Sequence, residues 1–243
     1  MFRFNLVIGT HLFKVIKFRR MMIKALKDDS LTRQQRYDIG QQVVYTISKK
    51  SQAIVESSGI ENLPKEDGYL ICANHQGRFD AVAILQTHSR PLSMVIDSKR
   101  SDVSVQKYYT DLTESVRINR ENPREGIKAL YQVRDGLNSG QNFCIFPEGK
   151  YGDNHNNLQT FEPGTFHTIK MTNAPIVPVC CYDTYKIYHV TLLKKTKCSV
   201  HYLKPIYPSE YKDLSKQEIA DLVKSRIQAK IDELNKQASL EKN

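Results

Sequence analysis

Short apolar runs alternate with helix-like segments along most of this chain, and that alternation restricts the fold more than any other feature. The runs have the length and composition of buried strands. They are GYLICAN (68–74), LSMVI (92–96), SVRIN (115–119), NFCIF (142–146), APIVPVCC (174–181) and CSVHYL (198–203). Strands that alternate with helices at this spacing form mainly parallel sheets covered by helices. The sequence therefore predicts an α/β fold, with a mainly parallel covered sheet and flanking helices.

Helical patterns lie between and around these runs. The clearest covers residues 123–138, and a charged helix is predicted over 215–236. A third helix is predicted over 31–57, because its apolar residues share one face. Those residues are Ile39, Val43, Ile47 and Ile54. The chain shows no repeat or linker, so we expect a helical segment over 1–60 and one α/β domain over 61–243.

The first 27 residues contain seven Lys or Arg and no acidic residue. On a helical wheel at about 100° per residue, five of the cations and six of the apolar side chains occupy opposite arcs. The basic arc holds Lys14, Lys17, Arg20, Lys24 and Lys27, and the apolar arc holds Leu12, Val15, Ile16, Met22, Ile23 and Leu26. Such a helix lies in an anionic headgroup layer, or it packs on the protein with solvated lysines. We expect residues 1–27 to contact a membrane surface, which makes 1–60 a membrane-associating segment.

Charge and cysteine content restrict the partners and the compartment. The formal net charge of +10 favours an anionic partner: nucleic acid, anionic lipid or a phosphorylated substrate. We expect no nucleic acid, because no helix-turn-helix, RRM or zinc pattern is present and cations concentrate on an amphipathic helix. The five cysteines form no CxxC pair, and all but Cys198, which only begins a run, lie within apolar runs. They indicate buried thiols in a reducing compartment, and neither a disulfide scaffold nor a metal site is expected.

The stretch NHQGRFD (74–80) joins the first apolar run to the next helix. Residues five apart on a straight helix lie about 140° apart, so His75 and Asp80 meet only if His75 precedes the helix. Asp80 would then accept from one imidazole nitrogen and leave the other basic, as in a general base. Gly77 would permit a tight turn whose N–H groups favour negative charge. The alternative is a histidine that caps the strand beside a solvated aspartate.

Polar segments also follow two other predicted strands, RINREN (117–122) and FPEGKYGD (146–153). Ligands of open α/β sheets bind beyond the carboxyl ends of the strands. His75, Arg120 and Glu148 should therefore converge as a base, a phosphate-binding arginine and a carboxylate. The alternatives are a solvated Arg120 and a Glu148 that only accepts from nearby backbone N–H groups.

The order of these motifs resembles the glycerolipid acyltransferase family. NHxxxxD, an arginine that ends a strand, FPEG and a VPV strand follow one another in this chain, and FEPGTFHTIK (161–170) resembles the family segment after the third block. The resemblance covers roughly residues 65–205. It implies an α/β sheet with a hydrophobic acyl tunnel, mounted on N-terminal helices that meet the membrane.

By position, the resemblance implies a role for individual residues. His75 would be the base, Asp80 its partner, and Arg120 the ligand of the acceptor phosphate. The rest of the acceptor site would be formed by Phe146, Pro147, Glu148, Gly149 and Lys150. The acceptor hydroxyl, deprotonated by His75, would attack a thioester carbonyl, and N–H groups around Gly77 would hold the oxyanion. The donor would be acyl-CoA or an acyl carrier protein, without another cofactor.

The activity implied is acylation of the lysophospholipid 1-acylglycerol-3-phosphate (lysophosphatidic acid) in phospholipid biosynthesis, by a peripheral protein on the cytoplasmic face of the membrane. Two departures from the family pattern bear on it. Gly77 stands where serine is usual, and Lys150 and Tyr151 stand where threonine and arginine usually follow FPEG. With one arginine missing, another lysophospholipid or an amino-acid-linked lysolipid stays open as acceptor. A non-catalytic protein that binds anionic lipid or nucleic acid is the alternative of a different class.

Overall fold

The computed structural model describes residues 12–101, 104–189 and 194–240. Its centre is a seven-stranded sheet in the order β1-β7-β6-β2-β5-β3-β4. The strands are β1 (Ala53–Ser58), β2 (Leu70–Ala73), β3 (Leu92–Asp97), β4 (Val116–Ile118), β5 (Asn142–Ile145), β6 (Ile176–Tyr182) and β7 (Thr196–Tyr202). The pairing of β6 with β7 is antiparallel and the others are parallel. All six predicted runs form strands, which confirms the mainly parallel α/β sheet.

Helices surround this sheet. The α-helices are α1 (Leu12–Leu26), α2 (Arg33–Lys50), α3 (Phe79–Thr87), α4 (Ser98–Ser101), α5 (Ser104–Leu112), α6 (Pro123–Asn138), α7 (Lys186–His189), α8 (Pro208–Tyr211) and α9 (Lys216–Leu240), with 3₁₀ turns at Ile60–Asn62, Pro163–His167 and Ile169–Met171. The start of α6 agrees with its sequence, since the Asn122 side chain accepts from two first-turn N–H groups and Pro123 occupies the first turn. Among the described residues, no helix has both the length and the apolarity needed to span a bilayer.

The helix predicted over 31–57 is wrong at its C-terminal end. α2 stops at Lys50, and Ala53–Ser58 form β1, which pairs in parallel with β7. Gln52 between them has a φ of 53°, a left-handed conformation that ends the helix and redirects the chain. The predicted domain boundary between residues 60 and 61 stays a prediction, although β1 on its N-terminal side belongs to the sheet.

The sheet separates two apolar cores, because alternate side chains of a strand point to opposite faces. Along β2, Leu70 and Cys72 pack in the core that includes α6 and α9. Ile71 and Ala73 pack in the core that includes α2 and α3. All five cysteines are buried and free, as predicted for the four in apolar runs. Burial raises the pKa of the Cys180 and Cys198 thiols to about 12, so these thiols stay protonated.

Helix α1 is packed on the protein in its C-terminal half and exposed in its N-terminal half. In its C-terminal half, Met22 and Ala25 are buried against Val43 of α2 and Leu112 of α5. In its N-terminal half, Phe13 is 90% exposed and Ile16 is 40% exposed. Of the predicted apolar arc, Met22 is thus buried and Ile16 is exposed, whereas Phe13 and Ala25 lie outside that arc. The part of the predicted membrane segment that precedes Leu12 lies outside the described residues.

Candidate active site

The turn between β2 and α3 brings His75 and Asp80 together. His75 follows the end of β2, and Asp80 lies in the first turn of α3. The distance from His75 Nδ1 to Asp80 Oδ2 is 2.7 Å. Since an ionised carboxylate only accepts, Nδ1 is the donor, and the neutral imidazole presents Nε2 as an acceptor. The pair has the geometry that its five-residue spacing predicts.

Asp80 is fully buried, and four donors hold its two oxygens. Besides His75, Oδ2 accepts from the N–H groups of Gln76 at 2.6 Å and Gly77 at 2.9 Å. Oδ1 lies 2.6 Å from the hydroxyl oxygen of Thr184. A buried carboxylate is costly unless it is hydrogen-bonded, and these bonds also fix its orientation. The Gln76 and Gly77 N–H groups thus serve Asp80, and the oxyanion role predicted around Gly77 would require these bonds to break.

The two glycines of the site differ in what they require. At Gly77 the φ angle is outside the left-handed region, and an added Cβ would come no closer than 3.9 Å, to Tyr185 Cα. Our expectation that the turn requires a glycine at Gly77 is therefore corrected, since the backbone there suits an L-residue and a Cβ has room. Gly149 has a φ of 74°, and an added Cβ would lie 2.6 Å from Nη1 of Arg120. Gly149 is the glycine that the site needs.

Aromatic rings hold the imidazole of His75. Phe146 stacks on it with ring centroids 4.1 Å apart and an interplanar angle of 15°. Tyr151 packs edge-on at 4.6 Å and 80°, and its hydroxyl accepts from Arg78 Nε at 3.1 Å. The His75 side chain is 15% exposed, so the ring is fixed in place and reachable from solvent. The sequence indicated Phe146 as a site residue but gave no sign of the contact with Tyr151.

Glu148 lies beneath the His75 turn and is 4% exposed. Its Oε1 accepts from the His75 N–H at 3.0 Å, and its Oε2 accepts from Gln159 Nε2 at 2.7 Å. Burial raises the pKa of the Glu148 carboxyl, while hydrogen bonds from His75 and Gln159 oppose the rise. Pro147 is buried beside it, and its carbonyl accepts from the N–H of Glu162 at 2.9 Å. Glu148 is thus a carboxylate that bonds nearby N–H groups and joins the FPEG turn to the His75 turn.

The structure places two cations at the FPEG turn. The exposed Arg120 follows β4, and its guanidinium lies against Gly149. Lys150 is exposed at the next position of the chain. Arg117 lies on β4 and pairs instead with Asp111 of α5, at 2.5 Å. His75, Glu148 and Arg120 therefore converge at the carboxyl ends of β2, β5 and β4, as the topology predicts.

Sequence reasoning missed the contribution of the segment after β6. Thr184 contacts Asp80, and Asp183 accepts from Asn156 Nδ2 at 2.9 Å. Within the motif, the Asn74 side chain donates to the Cys181 carbonyl and accepts from the Cys181 N–H. The sequence signal for this contribution is the polar pair Asp183 and Thr184, which follows an apolar run. Since β6 lies beside β2 in the sheet, residues that follow β6 come close to the His75 turn. Among the described residues, no three His, Cys, Asp or Glu side chains are grouped to hold a metal ion.

Comparison with known proteins gives one consistent result. The acyltransferase family model matches residues 54–182, more than half of the chain. The 1-acyl-sn-glycerol-3-phosphate acyltransferase of Salmonella typhimurium is 27% identical over 172 residues, which cover 69% of this chain and 68% of that protein. The enzyme of the same name from Escherichia coli is 28% identical with the same coverage. The crystal structure of the 1-acyl-sn-glycerophosphate acyltransferase from Thermotoga maritima matches with a TM-score of 0.78 at 19% identity, covering 96% of this chain and 93% of that one, and so shares its fold.

Proposed function

The chain belongs to the acyltransferase family and is an acyltransferase, and from this premise we propose that its acceptor is 1-acylglycerol-3-phosphate. The product would be phosphatidic acid, and the reaction would be a step of phospholipid biosynthesis. The observation that carries the proposal is the His75–Asp80 pair, 2.7 Å apart, with an arginine and a lysine at the neighbouring FPEG turn. The names of the Salmonella and Escherichia relatives support the choice of acceptor.

In the proposed reaction, His75 Nε2 takes the proton of the acceptor hydroxyl while that oxygen attacks the thioester carbonyl carbon. The carbon–sulfur bond then breaks, and the imidazolium returns the proton to the departing thiolate. Asp80 holds Nδ1–H, which keeps Nε2 as the acceptor and stabilises the imidazolium cation. The donor is acyl-CoA or an acyl carrier protein, and the transfer is direct, without a covalent acyl-enzyme.

We assign the phosphate of the acceptor to Arg120 and Lys150. A phosphate monoester carries up to two negative charges, and a guanidinium binds it with two parallel hydrogen bonds. The support for Arg120 is its contact with Gly149 at the FPEG turn, beside the His75 turn. The Lys150 ammonium would contribute a point charge without a bidentate contact, so its share of the binding is smaller.

We also propose that the protein associates peripherally with the cytoplasmic face of a membrane, where a lysophospholipid acceptor resides. The support is the exposed half of α1, in which Phe13 and Ile16 alternate with cations. The exposed cations of α1 are Lys14, Lys17, Arg19, Arg20 and Lys24. An amphipathic basic helix of this kind binds anionic lipid through both apolar burial and charge.

An acyl-transfer assay against a panel of lysophospholipids, with both donor types, tests the acceptor. We expect the monoester to be preferred, and Arg120→Ala to raise its KM about tenfold or more with little change in kcat, the pattern of lost uniform binding. Acceptors with a headgroup diester should respond less. Arg117→Ala is the matched control, because Arg117 pairs with Asp111 away from the FPEG turn. A wild-type preference for a diester, or equal KM changes for both acceptor types, would refute the assignment.

A further inference from the structure

Thr184, in the turn after β6, contacts the carboxylate that holds the proposed base. Its Oγ1 lies 2.6 Å from Asp80 Oδ1 and 2.8 Å from Gln76 Oε1. Thr184 and Asp80 are both fully buried. A hydroxyl carries one hydrogen, and an ionised carboxylate is a stronger acceptor than an amide oxygen. We therefore assign the hydroxyl hydrogen to Asp80.

The position of this hydroxyl is fixed by the bonds around it. Asp183, the preceding residue, has a left-handed φ of 60°, and its N–H donates to Asn156 Oδ1 at 2.9 Å. The same Asn156 oxygen accepts from Gln76 Nε2 at 2.8 Å, within the His75 turn. A movement of Thr184 away from Asp80 would disturb this connection between the two turns. The hydroxyl is thus built into the site.

The two oxygens of Asp80 have different partners. Oδ2 serves the His75 imidazole and the N–H groups of Gln76 and Gly77. Oδ1 points to the other side, towards Thr184. Rotation of the carboxylate about its Cβ–Cγ bond would move both oxygens, so the bond to Oδ1 restrains that rotation from the second side, in addition to the bonds at Oδ2. A rotation would change the direction in which His75 Nε2 faces the acceptor.

We propose that Thr184 is a positioning residue for acyl transfer, whose hydroxyl fixes the Asp80 carboxylate and, through it, the orientation of His75. The inference rests on the proposed role of His75 as the base. Thr184 acts through Asp80 and needs no contact with either substrate. Its removal should therefore slow turnover without weakening acceptor binding.

Three substitutions at this position separate the hydroxyl from the rest of the side chain. Thr184→Val removes the hydroxyl and keeps the branched shape, while Thr184→Ser keeps the hydroxyl. We expect Thr184→Val to lower kcat about 10- to 100-fold, the range found for groups that orient the ligating residues of metal sites. The acceptor KM should stay within about twofold of wild type. Thr184→Ser should remain within a few-fold of wild type. Valine places a methyl group where the threonine hydroxyl contacts Asp80 Oδ1. If Thr184→Val does not fold for this reason, Thr184→Ala, which has no such methyl, takes its place in the test.

Thr110→Val is the matched control. Thr110 is also fully buried, and its hydroxyl donates to the Gln106 carbonyl within α5, away from the site. It should lose some stability and retain wild-type kcat. Wild-type turnover in a folded Thr184→Val or Thr184→Ala variant, or an equal loss in Thr184→Ser, would overturn the proposal. Such a result would leave the proposed function standing, whereas a wild-type protein that does not acylate lysophosphatidic acid would refute that function, and normal turnover by a folded His75→Ala variant would refute the role of His75 as the base.

Discussion

Two buried carboxylates, Asp80 and Glu148, show at the residue scale how the site is held. Asp80 fixes the His75 imidazole, and Glu148 accepts from the His75 backbone N–H. The first contact was predictable, because both residues belong to one turn and only one geometry lets them meet. The second depends on β5 lying beside β2, and the contact of Thr184 depends on β6 lying on the other side. Such contacts join residues more than 70 positions apart, so no local pattern reports them.

Substitution by alanine should have opposite effects on stability at the two glycines of the site, Gly77 and Gly149. Gly77→Ala should keep activity and stabilise the fold by about 0.5 kcal/mol, because it reduces the entropy of the unfolded chain without strain. Gly149→Ala should cost about 1–3 kcal/mol, because the left-handed φ strains an L-residue and the methyl displaces Arg120. Thermal melting and the acceptor KM measure both effects. Equal behaviour of the two variants would contradict this account of the turns.

At the scale of elements, the helices were easier to predict than the edge of the sheet. α6 carries its own start signals in Asn122 and Pro123, and α9 follows its predicted range closely. The apolar spacing predicts a helix through Ile54, although Ile54 lies in β1. Its strand character comes from pairing with β7, where Ile54 lies opposite Lys197. Only the folded chain brings these segments together.

Helix α1 gives the element-scale prediction. Phe13→Glu should weaken binding to anionic vesicles about tenfold or more, because it removes a large apolar group from the proposed contact and adds a repelled charge. Ile127→Glu is the matched control, since Ile127 is also exposed but lies on α6, which packs on the opposite face of the sheet. Vesicle co-sedimentation at low and high salt measures both variants. Equal loss in the two variants would argue against a specific role of α1.

At the scale of the whole molecule, the alternation of strands and helices was sufficient to predict the architecture. It did not determine the strand order, nor the antiparallel pairing of β6 with β7, because neither is encoded in the periodicity of one segment. The buried polar contacts that join distant elements were also not predictable.

His88 makes two such contacts, and they have a measurable consequence. Its side chain is fully buried, Nδ1 donates to the Arg90 carbonyl at 2.8 Å, and Nε2 accepts from the Tyr69 hydroxyl at 2.7 Å.

The stability of the whole molecule should therefore fall in mild acid. Burial lowers the pKa of His88 to about 4, whereas an unfolded histidine titrates near 6.5. Between these values the unfolded chain binds the extra proton, so the free energy of unfolding decreases as the pH falls through this window. The contribution of His88 is up to about 3 kcal/mol. His201, whose pKa is also lowered to about 4 by burial, acts in the same direction.

Denaturant unfolding at several pH values between 4 and 7 measures this dependence. His88→Gln removes the titrating group, so it should flatten the curve while leaving the part that comes from His201. Parallel curves for wild type and His88→Gln would show that His88 does not titrate on unfolding. Lower stability of the variant at neutral pH is expected, because the buried Tyr69 hydroxyl loses its acceptor.

We propose His75, held by Asp80, as the base of an acyl transfer to lysophosphatidic acid. The most direct test is the kcat of acyl transfer by the purified protein and its His75→Ala variant, with lysophosphatidic acid in vesicles and with melting curves of both proteins. We expect the variant to melt within a few degrees of wild type and to turn over about 10²–10⁴-fold more slowly, the range for loss of a positioned base. Near-normal turnover by the folded variant would contradict this proposal.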